Sequence, residues 1–277
     1  MSLSDAFTYR GKRVLVVGAA TGMGAAVAAL AKDAGAQVVA MDRADITLAG
    51  VTAIPLDLAS KASIDAAVAK CGGPVHALFS CAGVADGTPG IEKINFIGHR
   101  RMIDRLLAGG MLPRGSAIGF ISSAGGLGWD TKDTLPQLLE YIAIEDFDAA
   151  AAWAQERDKA NYRWSKQAVN AYVAHEAYRL MKHGVRINAI LPGPTDTPLA
   201  QANAAMWLGF GSDYRGELGI QASTPIEQAY PLVFLCSDAA RAVTGITMVS
   251  DAGYFSSGIT GSFPAASGIA NFLSGRA

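Results

Sequence analysis

From Arg13 onward the chain alternates short, β-branched apolar runs with alanine-rich helical segments. RVLVVG ends on glycine and leads into GMGAAVAALAKDAG, and QVVAMD, VTAIPLDL, the helical KASIDAAVAKC and the apolar VHALFSCAG follow. A helical stretch around IEKINFIGHRRMIDRLLAGG, the run SAIGFISSAG, the long helical NYRWSKQAVNAYVAHEAYRLMKHG and the run VRINAILPG continue the series, and IEQAYPLVFLCSD and GITMVSDAG close it. The apolar runs are nearly continuous, with little polar alternation. Strands of that kind are covered on both faces. The pattern predicts a parallel sheet with helices on either side, a doubly wound α/β fold. No repeat and no linker interrupts it, so residues 1–277 are expected in a single domain.

Three stretches stand outside the alternation. Residues 127–159 lie between a strand run and the long helical segment, and their spacing predicts one or two extra helices at the rim of a site. Residues 198–224 carry Met206, Trp207, Leu208 and Phe210. Residues 254–277 form a Gly/Ser-rich tail, expected to be partly loose.

The remaining bounds are mostly exclusions. Only 17% of residues are charged, the net charge is −1, and no Lys/Arg block stands out, which argues against nucleic acid as a partner. No apolar run approaches the ~18–20 residues of a membrane span, and MSLSDAFTYRGKR has no signal-peptide pattern. Cys71, Cys81 and Cys236 are odd in number without CxxC spacing, which speaks against a disulfide framework and a zinc site. A reducing, cytoplasmic setting is expected.

VVGAATGMGAA follows the first strand and opens the first helix, with glycines at Gly18, Gly22 and Gly24. Glycines let the backbone turn tightly and approach a pyrophosphate, while the helix N-terminus offers free N–H groups and partial positive charge. Asp42 closes the next strand, where a carboxylate can accept hydrogen bonds from ribose hydroxyls and repel a 2′-phosphate. NAD is therefore favoured over NADP, although Arg43 beside it could offset a 2′-phosphate and Asp42 could simply cap a turn. Asp57 could meet an adenine edge or cap the following helix.

At this point the chain resembles the short-chain dehydrogenase/reductase family over about residues 10–255. The family's glycine loop is matched by Gly18, Gly22 and Gly24, and its Asn-Asn-Ala-Gly by Ser80-Cys81-Ala82-Gly83. Its helix asparagine corresponds to Asn95 in INFIGH, its strand-end serine to Ser123 in ISSAGG, its Tyr-x-x-x-Lys to Tyr162 and Lys166, and its Pro-Gly to Pro192-Gly193 followed by Thr197. The resemblance implies a Rossmann fold, a homo-oligomer, no metal, and a cofactor held by these loops together with Thr21, Met23, Leu58 and Thr195. Tyr162 and Lys166 share one helix face. The resemblance makes Tyr162 the acid/base, since a nearby ammonium and a nicotinamide cation favour the phenolate and lower a pKa near 10. Lys166 would hold the nicotinamide ribose, Ser123 the substrate oxygen, and Asn95 a water linking Lys166 to solvent. Taken singly, a Tyr-x-x-x-Lys pair is an ordinary half-exposed helix pair and two serines at a strand end are turn chemistry; the ordered set carries the resemblance.

The departures are also informative. Val17 replaces a frequent threonine, and Ser80 and Cys81 remove side-chain hydrogen bonds near the cofactor; Cys81 reads as a small buried packing residue. The long separation of Ser123 from Tyr162 is similar to the branch of 3α-hydroxysteroid and coniferyl alcohol dehydrogenases, which implies a bulky apolar steroid or aryl substrate. The insertion either walls the pocket, with Trp129 and Leu135 as candidates, or remodels a subunit interface. Residues 198–224 act either as a lid through Met206, Trp207 and Phe210 or as a core-covering helix. The expected activity is NAD-dependent alcohol–carbonyl interconversion. The alternatives are an NADP-dependent carbonyl reductase and a non-catalytic dinucleotide-binding sensor.

Overall fold

The computed structural model describes residues 2–276. Strands β1 (Arg13–Val17), β2 (Gln37–Asp42), β3 (Thr52–Pro55), β4 (Ala77–Ser80), β5 (Ala117–Ile121), β6 (Arg186–Pro192) and β7 (Thr247–Ser250) form one sheet in the order β3-β2-β1-β4-β5-β6-β7. Every neighbouring pair is parallel. The doubly wound α/β expectation therefore holds. The strand order reverses between β1 and β4, and in open sheets of this kind ligands bind beyond the strand C-termini at that switch point.

Strand side chains point alternately to the two faces, and each face has its own core. Val14 and Val16 of β1 pack with Val27, Ala28 and Ala31 of the helix Gly22–Asp33 and with Leu232 and Leu235 of the helix Pro225–Cys236. Leu15 and Val17 face the other way, onto Ile64, Ile103, Leu106 and the buried side of the long helix Tyr162–Lys182. Two opposed faces, each apolar, explain why the strand runs read as unbroken hydrophobic stretches.

The insertion holds two helices, Leu135–Ala143 and Phe147–Glu156. Their inner side chains join the second core. Trp153 stacks on Tyr141 at 5.1 Å and on Trp164 of the long helix at 6.0 Å between ring centroids. Each such aromatic pair is worth about 0.5–1.5 kcal/mol beyond the area it buries. The tail departs from its expectation. It forms the helices Tyr254–Thr260 and Ser267–Ser274, anchored by rings of Tyr214, Tyr254 and Phe263 at 5.0–6.4 Å. Among the described residues no helix is long and apolar enough to cross a membrane.

Candidate active site

A crevice of about 230 Å³ opens at the switch point, bordered by Gly18, Thr21, Gly22, Met23 and Gly24 from the loop after β1. Gly18 has φ +85°, and a Cβ there would lie 2.5 Å from the Ala82 nitrogen. Only glycine lets the β1 and β4 loops close on each other this tightly. A Cβ at Gly24 would run into the Gly18 carbonyl. The helix Gly22–Asp33 starts at Thr21 without a side-chain cap, so its first-turn N–H groups stay available for an anion. Ala82 and Gly83 form the opposite wall. His99 braces it: its Nε2 faces the Ala82 carbonyl oxygen at 3.1 Å, and burial holds its pKa down to about 4, so the neutral ring donates this bond.

Asp42 and Asp57 border the same crevice, with Leu58. The Asp42 carboxylate accepts from the Ala20 N–H at 2.9 Å and the Ala44 N–H at 3.0 Å, which fixes its direction; Arg43 stands exposed on the rim. Asp57 accepts from the Ala59 N–H at 2.9 Å, so it acts as a turn cap while facing the crevice. This donor and acceptor set fits a dinucleotide: a glycine cradle and helix end for the phosphates, and an acid at the second strand for a ribose.

Ser123, Tyr162 and Lys166 meet in a second cavity of about 300 Å³, floored by Pro192, Gly193 and Thr195 after β6. Tyr162 is the first residue of the long helix. Asn161 caps that helix by accepting from the Trp164 N–H at 2.9 Å, and Asp86 accepts from the Tyr162 N–H at 2.5 Å. Lys166 follows one turn later, and its Nζ donates to the Ile121 carbonyl at 3.1 Å. Ser122 is turned away and donates to the Lys166 carbonyl oxygen at 3.3 Å, which leaves Ser123 for the cavity.

Asn95 lies within a π-helical turn, Lys93–Ile97, a feature that tends to mark functional sites. It does not border either cavity. Its Oδ1 accepts from the Val84 N–H at 2.8 Å, and its Nδ2 donates to the Val84 carbonyl and to Ser165 Oγ. Asn95 thereby ties the loop after β4 to the catalytic helix. A Cβ built on Gly83 would lie 3.5 Å from both Asn95 Oδ1 and Lys166 Nζ, so the two groups converge behind the crevice wall.

Electrostatics qualify the expected role of the pair. Burial pushes Tyr162 up to about 12, Ser123 opposes that shift, and the Asp86 carboxylate adds to it. Burial also brings Lys166 down to about 8. Lys166 Nζ sits 5.6 Å from the Tyr162 ring centroid, yet proximity does not overcome desolvation. With the cleft empty, burial therefore keeps Tyr162 a phenol near neutral pH.

The apolar wall comes from two segments. Trp207, Met206 and Phe210 from residues 198–224 border the cavity, and the Trp207 ring packs on Tyr162 at 5.0 Å. The other wall is Ile269 and Leu273 of the C-terminal helix. Trp129 and Leu135 are half-buried away from it: Trp129 packs on the core, and neither borders the cavity. The rim expectation for these two is corrected, because the insertion spends its apolar surface on the long helix. Ile269 and Leu273 were missed, although their four-residue spacing in SGIANFLS is a helical signal. Cys81 borders both cavities, and burial holds it as a thiol. Ser80 Oγ has no hydrogen-bond partner among the described residues, so the substituted asparagine's bracing is not replaced there.

Comparison with known proteins accords with this geometry. The short chain dehydrogenase profile matches residues 12–126, and the enoyl-(acyl carrier protein) reductase profile matches residues 142–255. The chain is 31% identical to a 3-alpha-hydroxysteroid dehydrogenase/carbonyl reductase of Comamonas testosteroni, over 87% of this chain and 95% of that protein. It is 26% identical to a coniferyl-alcohol dehydrogenase of a Pseudomonas strain, over 87% of this chain and 96% of that protein. The structure resembles a 3-alpha-hydroxysteroid dehydrogenase from Pseudomonas sp. B-0831 complexed with NADH, with a TM-score of 0.73 and 25% identity, covering 91% of this chain and 99% of that one.

Proposed function

The chain belongs to the short-chain dehydrogenase/reductase family, and from that premise we propose that it interconverts an apolar, ring-containing alcohol of steroid or aryl type with its ketone or aldehyde, using NAD. That it is an oxidoreductase acting on CH–OH groups with a nicotinamide dinucleotide follows from the family. The observation that carries the finer reading is the cavity itself: Ser123, Tyr162 and Lys166 gather at one end, and Met206, Trp207, Phe210, Ile269 and Leu273 form an apolar wall. When bound, the cofactor exchanges a hydride with the substrate carbon and, in its oxidised form, contributes positive charge. Ser123 hydrogen-bonds the substrate oxygen and sets its position. Tyr162 takes the hydroxyl proton during oxidation or returns it during reduction. Its high resting pKa keeps it a phenol until positive charge arrives next to it. Lys166 is partly held by the Ile121 carbonyl and supplies an ammonium for the ribose. Asp42 supports NAD, since its fixed carboxylate faces the crevice where a 2′-phosphate would bring more negative charge.

The test is an absorbance assay at the reduced-nicotinamide band with NAD and NADP over a panel of ring alcohols, on wild type and Tyr162→Phe. Wild type should turn over with NAD in preference to NADP. Tyr162→Phe should lose about 10²–10⁴-fold in kcat while binding NADH with unchanged affinity. Activity of the variant near wild type removes the acid/base role, and a wide advantage for NADP removes the assignment of Asp42.

A further inference from the structure

One wall of the cavity comes from neither the glycine loop nor the catalytic helix. The helix Ser267–Ser274 supplies it through Ile269 and Leu273, one turn apart on the same face. Close contacts fix this helix in place. A Cβ at Gly128 would lie 2.5 Å from the Leu273 carbonyl oxygen, and one at Gly258 would lie 2.7 Å from the Ala270 Cβ. The Arg163 guanidinium lies 4.8 Å over the Phe272 ring, and Arg163 directly follows Tyr162. The start of the insertion thus serves the site indirectly: it seats the helix that walls the cavity.

Three properties limit what the cavity accepts. Its volume of about 300 Å³ is at the low end of the ~300–1,000 Å³ span of small-molecule sites. Met23, Cys81, Gly83, Thr197 and Leu199 border both this cavity and the crevice, so a dinucleotide held by the crevice would take part of the space. The polar groups are also largely committed. Ser122 and Thr195 hydroxyls donate to the Lys166 and Gly193 carbonyls, and Thr197 Oγ1 accepts from the Ala200 N–H. Ser123 Oγ accepts from the Gly125 N–H at 3.0 Å but keeps its own O–H to donate, so Ser123, Tyr162 and Lys166 gather the remaining polar capacity at one end. The only ionisable side chains on the wall, among the described residues, are Cys81, Tyr162 and Lys166. A second polar or charged group on the substrate would be buried without a partner, which is strongly unfavourable.

We propose that the C-terminal helix is the size gauge of the site, and that Ile269 and Leu273 restrict it to uncharged alcohols of one or two rings, or their ketones. This rests on the hydride-transfer reading above and narrows its substrate class.

The experiment compares kcat/KM with NAD for a bicyclic secondary alcohol, a four-ring hydroxysteroid and a hydroxycyclohexane carboxylate, in wild type, Leu273→Ala and Ile269→Ala, with NADH affinity measured alongside. Wild type should favour the bicyclic alcohol over each of the others by at least about tenfold. Either variant should raise the four-ring value by about tenfold, leave NADH affinity unchanged, and leave the carboxylate rejected. A wild type that uses the four-ring alcohol as readily as the bicyclic one overturns the inference. So do variants that lower all substrates in proportion, or that leave the ratio of four-ring to bicyclic kcat/KM at its wild-type value. No turnover on any neutral alcohol overturns this inference together with the hydride-transfer reading; turnover with an unchanged four-ring to bicyclic ratio in both variants overturns this inference alone.

Discussion

The cofactor crevice and the substrate cavity share a wall but are built from different material. The crevice is largely backbone: glycines, a helix end and two carboxylates, held where β1, β2, β3 and β4 stop. The cavity is side chains, brought from residues 198–224, the C-terminal helix and the catalytic helix. Backbone sites tolerate almost no added volume, because a displaced main chain carries its neighbours with it. Side-chain walls yield by degrees. The first should fail outright when altered, and the second should change its preferences.

Gly24→Ala tests the first half of that contrast and should have the largest effect. Its Cβ would run into the Gly18 carbonyl, so the loop must move away from the phosphate path. NADH affinity measured by fluorescence titration should fall by more than about 100-fold, near 2.7 kcal/mol. A loss under threefold would show that the crevice is as forgiving as the cavity. Trp207→Ala tests the second half. Removing the ring packed on Tyr162 should raise KM for a bicyclic alcohol by about tenfold, near 1.4 kcal/mol, and much less for a short acyclic alcohol. Equal changes for both would mean that Trp207 supports the fold and not the substrate.

The smallest effect belongs to the seam between the two. Asp86 is exposed and raises the Tyr162 pKa. Asp86→Asn keeps an acceptor for the Tyr162 N–H but removes the charge. Because that charge disfavours the phenolate, its loss lowers the tyrosine pKa. The acid limb of kcat/KM for alcohol oxidation should therefore move to lower pH, by less than about one unit given the solvent screening. A move to higher pH, or none at all, would show that Asp86 acts only as a helix cap.

How much of this was legible in the sequence follows the same division. The sheet, the glycine loop with Asp42, and the face shared by Tyr162 and Lys166 could be read because each depends on local spacing. Nearby residues along the chain set those geometries. The walls depend on which distant segment arrives where. Asp86 meets Tyr162 across 76 positions, and no local pattern encodes that contact. The insertion's apolar residues suited a pocket wall as well as a subunit interface; the stack of Tyr141, Trp153 and Trp164 shows that many of them instead turn inward to the core. The tail's glycines and serines obscured a short helix whose Ile269 and Leu273 needed a docking surface to give them meaning. The sequence pattern also could not show that burial raises the Tyr162 pKa and lowers that of Lys166 when the cleft is empty.

The contact between Trp207 and Tyr162 has an optical consequence. Trp153 and Trp164 are locked in the insertion's aromatic stack, and Trp129 packs on the core. Trp207 alone of the four stands at the reacting end of the cleft. Its indole emission overlaps the absorption of a reduced nicotinamide, so energy passes from one to the other when both are in place. The protein therefore carries its own reporter of site occupancy, read as a loss of indole emission when NADH binds, without an added dye.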